Sequence, residues 1–483
     1  MQEPQETPQI RIDRRPLWIV VLDRMRRPLS LAAFFAIFLI LLNQEGPADL
    51  SLQGYKVLCV FFLCVSLWAT NLIPLSITSL LAIALIPLLG IMEASQAYSF
   101  FGNKAVFFIL GIFILSAAMI GSGLSGRLSM WVMKHFGNSP KTLVSSIYFF
   151  GALLSCFMSE HAVAAMMFPI LIEIVTALKL KKGESVFAKA LFFSMAWGCI
   201  IGGAMTVLGG GRVPLAVEIL ERVTDGAGSI GILEYTFFSF PLVLLLLGAG
   251  WVVLLFMFPP DLKDIEPARK IILEKSKTLG AITFQEKGIA LIMALTIFTW
   301  FAYGDSLGIA NIAIISLVLL FSFNLINWKL VEPHINWAII LMYGGAICLG
   351  EVMATSGAAL WLSQSIFSGT VQSPTLFLVS IAVLSLLFTT FMSNSAVIAI
   401  LLPPAISMCE AYGISPQMAT LTVILPSNFA FILPIATPAS ALAYSARYFS
   451  LGEMFRAGSL LSLLGMGCYL FLLYFYWPLI GFK

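Results

Sequence analysis

From Val352 to Ala446 the chain carries one Asp, Glu, Lys, Arg or His, the single residue Glu410. A spanning helix needs about 20 apolar residues, so this stretch must hold more than one membrane segment. Other uncharged runs follow the same rule: Pro28–Gln44, Val57–Met92, Ala105–Gly126, Ala190–Gly211, Tyr235–Pro260, Gly288–Gly304 and Ala457–Phe482. Charged residues make up 11% of the 483 residues and hydrophobic ones 60%, against about 25% charged in soluble domains. The chain is therefore read as an all-α polytopic membrane protein. Residues 1–27 are polar and Arg-rich with no apolar core, which argues against a cleaved signal peptide. The first apolar run reads as a signal anchor. The seven cysteines all fall in apolar spans without a CxxC pair, the pattern of small buried side chains. The net charge of +3 says little about partners; membrane lipid is expected and nucleic acid is not.

Where the basic residues sit says more. Eleven crossings, at about 28–44, 52–72, 75–92, 104–136, 186–222, 234–258, 287–304, 307–328, 337–366, 416–446 and 455–480, combine with two re-entrant hairpins at 142–178 and 372–410. With the N-terminus inside and the C-terminus outside, only Lys56, Lys104, Arg222 and Lys483 fall outside, and Arg212 is left within the membrane. All other Lys and Arg are cytoplasmic, as the positive-inside rule requires. The domains expected are a cytoplasmic tail at 1–27, a first repeat with its preceding helices at 28–258, a cytoplasmic linker at 259–286 and a second repeat at 287–483.

A shift of 234 residues aligns the chain with itself. Gly111, Leu115, Ser122 and Gly123 fall on Gly345, Leu349, Ser356 and Gly357; Ser155, Ser159, Ala162-Val163, Ala165 and Pro169 fall on Thr389, Ser393, Ala396-Val397, Ala399 and Pro403. "SEHAVAA" and "SNSAVIA" are thus one hairpin tip written twice. By the charge count the first hairpin opens inside and the second outside, an inverted repeat of the kind that builds secondary transporters. After each hairpin comes a stretch that breaks a helix in mid-membrane, "GGAMTVLGGGRVP" (202–214) and "FILPIATPASA" (431–441). Broken backbone is tolerated there where it is buried or lines a cavity, and its half-helix ends and carbonyls hold anions and Na⁺. Glycines that only allow close helix packing are the plainer reading of one break; two breaks in matching places favour a site.

With these residues the chain resembles the divalent anion:sodium symporter family, the dicarboxylate, citrate and sulfate carriers, from "LWATNLIPLSITSLL" (67–81) to the last helix. The resemblance implies a homodimer with a scaffold and an elevator-type transport domain, a small anionic substrate, Na⁺ as coupling ion, no other cofactor and a plasma-membrane location. It also implies Ser-Asn-Thr tips that touch substrate and sodium. Ser393-Asn394-Ser395 stands for that motif in the second half, with Ala436-Thr437-Pro438 as the partner turn. Thr389, Ser393, Asn394 and Ala436 are the implied sodium set, and Ser395, Thr437 and Pro438 join Ser393 and Asn394 toward substrate. In the first half Ser155, Ser159 and Gly209 remain for a sodium site, but Glu160-His161 replaces Asn-Thr. Arg212 ends Gly209-Gly210-Gly211-Arg212 where the family has Gly-Thr-Pro-Pro.

Ionisable residues at this depth are functional candidates, usually paired. Three readings of Glu160, His161 and Arg212 follow. Glu160 and Arg212 form an ion pair in place of the first sodium. Alternatively Glu160 carries a proton with the substrate, shared by His161, a side chain that ordinarily titrates near neutral pH. Or Arg212 clamps the substrate directly, since a guanidinium matches a carboxylate or sulfate bidentately. The function expected is cation-coupled transport of a small divalent anion, most simply a dicarboxylate. An anion exchanger, a sodium/proton antiporter or a proton-coupled carrier, sulfate transport included, are the alternatives. Glu160-His161 matches half of a zinc-protease motif, but the second helical His is missing and no enzyme is expected. Glu351 is expected to pair or face a cavity, Glu218 to be exposed near a membrane boundary, Met166 and Met167 to pack, and His135 and His334 to be solvated.

Overall fold

A computed structural model describes residues 17–262, 264–367 and 373–482. Residues 1–16 of the expected tail, Lys263 of the linker, Gln372 at the start of the second hairpin and Lys483 lie outside them. Among the described residues every regular element is helical, and ten helices are long and apolar enough to cross a membrane.

Four Ser/Thr-Pro pairs start the elements that matter. Ser139-Pro140, Ser373-Pro374, Ser415-Pro416 and Thr437-Pro438 each place a hydroxyl at the helix N-cap and a proline in the first turn. The hydroxyl accepts an otherwise orphaned N–H and the proline's missing N–H costs nothing there. The first hairpin is Pro140–Ser155 and Glu160–Ala177; the second is Pro374–Phe391 and Asn394–Ser407. The first broken helix is Val186–Gly203 and Arg212–Val223, and the second is Pro416–Ser427 and Pro438–Ser445. Element order thus recurs, at a shift of 234 for the starts of the hairpin arms and for the turns at Gly123 (φ +83°) and Gly357 (φ +77°), and of 230 and 226 for the two segments of the broken helices.

Those two turns correct the expected crossings. Residues 104–136 form two helices, Lys104–Gly121 and Leu124–Phe136, and 337–366 divides into Trp337–Thr355 and Ala358–Phe367. Only a residue tolerant of left-handed backbone fits there. The crossings expected at 75–92 and 307–328 are 14-residue helices, Leu75–Leu88 and Ile309–Ser322, about 21 Å long each. The first helix begins at Leu17, inside the expected tail, and runs to Leu42. The linker holds the helix Glu266–Thr278, tied to the first hairpin by Lys275–Glu173 at 2.6 Å. Arg127 closes its far end on the Leu279 and Gly280 carbonyls and on Glu286, 2.9 Å away.

Val186–Gly203 is the buried centre of the first half. Gly198 and Gly202 lie on one of its faces, where any Cβ would run into the backbone of Tyr148 and Ala152. Small residues four apart let two helices touch backbone to backbone, and this fixes the broken helix against the hairpin. The two halves interlock. Arg212–Val223 packs on the second hairpin's Asn394–Ser407 and on Pro416–Ser427, while Pro438–Ser445 packs on Glu160–Ala177 and Val186–Gly203.

Candidate functional site

Glu160 is the first residue of its helix, where a carboxylate suits the positive end of the helix dipole. Its N–H donates to the Gly209 carbonyl at 3.0 Å, joining hairpin tip to helix break. Its carboxylate lies over Gly203, where a Cβ would come within 2.8 Å of Oε2. Arg212 also opens a helix, but a cation at that end works against the dipole, so local propensity does not explain it. The partner does: Arg212 Nη1 donates to Glu160 Oε2 at 2.9 Å, with the side chains 4% and 1% exposed. Arg212 Nε and Nη2 are buried without a hydrogen-bond partner. His161 Nδ1 stands 3.6 Å from Glu160 Oε1, too far for a hydrogen bond. His161 and Ser159 line an open cavity of about 530 Å³ shared with Ser116, His334, Asn336 and Trp337.

In the unwound stretch between Gly203 and Arg212 the carbonyls of Ala204, Met205, Gly209 and Gly211 accept hydrogen bonds. Tyr235 donates to Ala204 at 2.9 Å, Ser239 to Met205 at 2.8 Å and Tyr343 to Gly211. Gly209 accepts from Glu160, as above, and Thr206 donates to the Cys156 carbonyl at 2.5 Å. Of the residues expected to form a first sodium site, Gly209 has a carbonyl that already accepts one hydrogen bond, Ser159 borders the cavity and Ser155 keeps a buried hydroxyl without a hydrogen-bond partner.

The second half is built differently. Thr389 Oγ1 lies 2.8 Å from Asn394 Oδ1 and 2.8 Å from the Ser427 carbonyl. A hydroxyl has one hydrogen and donates to one of them at a time. Asn428 Oδ1 next door is buried with no partner, while its amide donates to Ile424 at 2.9 Å. Thr389, Asn394 and the Ser427 carbonyl thus bring together neutral oxygens with unused lone pairs, the donor type a hard monovalent cation takes. Ser427 and Asn428 were not among the expected residues; the polar pair inside an otherwise apolar run was the available signal. Ser393 caps its own helix through Ala396 N–H, and Thr437 does the same through Ser440 N–H. Ser395 is half-buried at the tip, Ala436 buried and Pro438 exposed.

Elsewhere Glu218 is buried, not exposed. Asn103 Nδ2 donates to it and Arg222 Nε lies 2.8 Å away, which compensates its charge. Glu351 faces a cavity with Glu218, Glu221, Arg222 and Asp225. His135 and His334 are exposed, and Met167 is fully buried.

Residues 26–482 match the family model of the sodium:sulfate symporter transmembrane region. The chain belongs to that family, a family of secondary transporters and not of enzymes, and the resemblance to divalent anion:sodium symporters holds over its length. It is similar to proteins described as sodium-dependent dicarboxylate transporter SdcS from Staphylococcus aureus strains bovine RF122 / ET3-1 and NCTC 8325 / PS 47. Each is 26% identical over 501 residues, spanning 97% of this chain and 96% of the relative. The crystal structure of the Alcanivorax borkumensis YdaH transporter is similar in fold, with a TM-score of 0.53 and 15% identity over 80% of this chain and 88% of that one.

Proposed function

We propose that the protein is a sodium-coupled transporter of a small divalent anion, a dicarboxylate, across the plasma membrane, with one sodium site in its second half. The observation that carries this reading is the oxygen cluster at Thr389, Asn394 and Ser427, with Oδ1 of the following residue, Asn428, buried and unpartnered. Ser393 adjoins Asn394 in sequence, and Ala436 precedes the second half-helix at Thr437-Pro438. The dicarboxylate transporters to which the chain is similar support the substrate class. Ser159, Ser393, Ser395, Thr437 and the helix start at Pro438 supply the polar contacts to substrate. The hairpins and broken helices travel together against the remaining helices of a homodimer, with the N-terminus cytoplasmic. In the first half the buried Glu160–Arg212 pair, with its guanidinium at the break, supports a modified site that holds no Na⁺.

A proton-coupled reading draws on one further observation, the buried carboxylate of Glu160 beside His161, which borders an open cavity. Succinate uptake into proteoliposomes under a Na⁺ gradient, a proton gradient, or counter-substrate alone separates the cases. Uptake driven by Na⁺ without internal substrate is the expected result. Uptake needing internal substrate identifies an exchanger. Proton-driven uptake whose pH dependence disappears in Glu160→Gln identifies Glu160 as the proton carrier.

A further inference from the structure

Arg212 is the least satisfied charged group in the first half. Of its donors, Nη1 is committed to Glu160, while Nε and Nη2 are buried and unpartnered. These two N–H groups lie on the same edge of the planar guanidinium, the edge that meets both oxygens of a carboxylate side-on. A buried donor without an acceptor is costly, and here two sit together on one charged group. The backbone around them is shaped to match. Gly210 leaves room for the guanidinium at its Glu160-bound end, since a Cβ there would stand 3.0 Å from Nη1. The helix Arg212–Val223 opens at the same point, where the Arg212 and Val213 N–H groups have no acceptor within the helix and Pro214 has no N–H. The nearby Tyr343 and Tyr235 hydroxyls have spent their hydrogens on Gly211 and Ala204, so they compete with no incoming anion as donors.

We infer that the free Nε/Nη2 edge of Arg212 is the seat of one carboxylate of the transported anion, and that Glu160 is the positioning residue that holds the guanidinium in place through Nη1. Arg212 then bridges two carboxylates, one from the protein and one from the substrate. Paired with Glu160 the guanidinium adds no net charge to this half-site, but it offers a planar pair of donors that selects two coplanar oxygens rather than any negative charge. The inference rests on the transport reading above.

The test is equilibrium binding of radiolabelled succinate, and separately of sulfate, to the purified full-length protein in saturating Na⁺. R212K keeps the charge but loses the fork. E160Q/R212Q removes both charges together, so that neither is left alone in the interior. Each variant is first checked for a monodisperse peak, and E160Q/R212Q carries the comparison if R212K fails that check. The expected result is succinate binding weakened at least about tenfold in both, the loss of a charge-assisted bidentate contact, with the Na⁺ half-saturation point within about twofold of wild type. Succinate binding within about threefold of wild type in the monodisperse variants overturns the assignment and leaves the transport reading standing. Sulfate binding without succinate binding, lost in R212K, overturns the carboxylate assignment. Wild type that binds neither anion with Na⁺ present sinks the transport reading and this inference with it.

Discussion

Removing one member of the Glu160–Arg212 pair should destabilise the protein more than removing both. Two unit charges 2.9 Å apart attract by about 6 kcal/mol at an effective dielectric of about 20. Taking both out of water uses up most of that gain, and the side chains are only 4% and 1% exposed. Arg212→Gln therefore does not forfeit a large net attraction; it leaves the Glu160 carboxylate buried without its counter-charge, a loss of about 3–5 kcal/mol. Glu160→Gln strands the guanidinium to a similar extent. In E160Q/R212Q no charge is stranded, and two amides can hydrogen-bond across the same gap. The double variant should be more stable than either single one, with a coupling energy of at least about 3 kcal/mol. Unfolding in mixed micelles, followed by tryptophan fluorescence on all four proteins, closes the cycle. Additive losses, with coupling below about 0.5 kcal/mol, would refute the claim that the two residues act as a pair.

Thr389→Val keeps the shape but removes an oxygen from the second-half cluster; the Na⁺ half-saturation of succinate uptake should rise at least about tenfold, one charge-assisted contact at about 1.4 kcal/mol per tenfold. Ser155→Ala, at the equivalent place in the first half, should leave the Na⁺ response unchanged in the same assay. Tyr343→Phe strips the donor from the Gly211 carbonyl and should cost about 1–3 kcal/mol of stability, seen as a lower unfolding midpoint. Gly202→Ala drives a methyl into the Ala152 backbone, an overpacking loss of about 1–3 kcal/mol. Gly226→Ala, at φ +79° with open space around it, meets only backbone strain of about 1–2 kcal/mol. Thermal melts of the two should rank Gly202→Ala lower.

Much of this arrangement is written locally. The Ser/Thr-Pro pairs start both hairpins and both halves of the second broken helix, and glycines and prolines interrupt them, because capping and backbone freedom depend on near neighbours. The pairing of Glu160 with Arg212 was also legible, since two opposite charges in an apolar medium have few other partners. The donors that close the first unwound stretch were not. Tyr235, Ser239 and Tyr343 reach Ala204, Met205 and Gly211 from helices distant in sequence, and nothing in their own surroundings marks them. The turns at Gly123 and Gly357 were hidden for a different reason: apolar residues continue through both, so hydrophobicity signals one long span where backbone φ makes two helices. Glu218 was misread because its partners, Asn103 and Arg222, bury it at a place where the chain alone suggests a boundary.

The charge of the first half-site limits what can travel through it. Glu160 and Arg212 cancel each other, so the pair contributes no net positive charge to a dianion, whereas a bound Na⁺ with neutral ligands would contribute one. With a single Na⁺ in the second half, a fully ionised dicarboxylate crosses as a complex of net charge −1. An inside-negative potential then opposes its entry, by about 2.3 kcal/mol for each 100 mV. Succinate uptake into proteoliposomes clamped with a K⁺ gradient and valinomycin, at a pH where both carboxylates are ionised, should therefore slow as the interior is made more negative. A proton taken up with the substrate, on Glu160 or His161, makes the complex neutral and the rate independent of potential. Uptake that accelerates with negative potential requires at least two positive charges more than the pair and one Na⁺ provide, and would rule out a first half-site closed to cations.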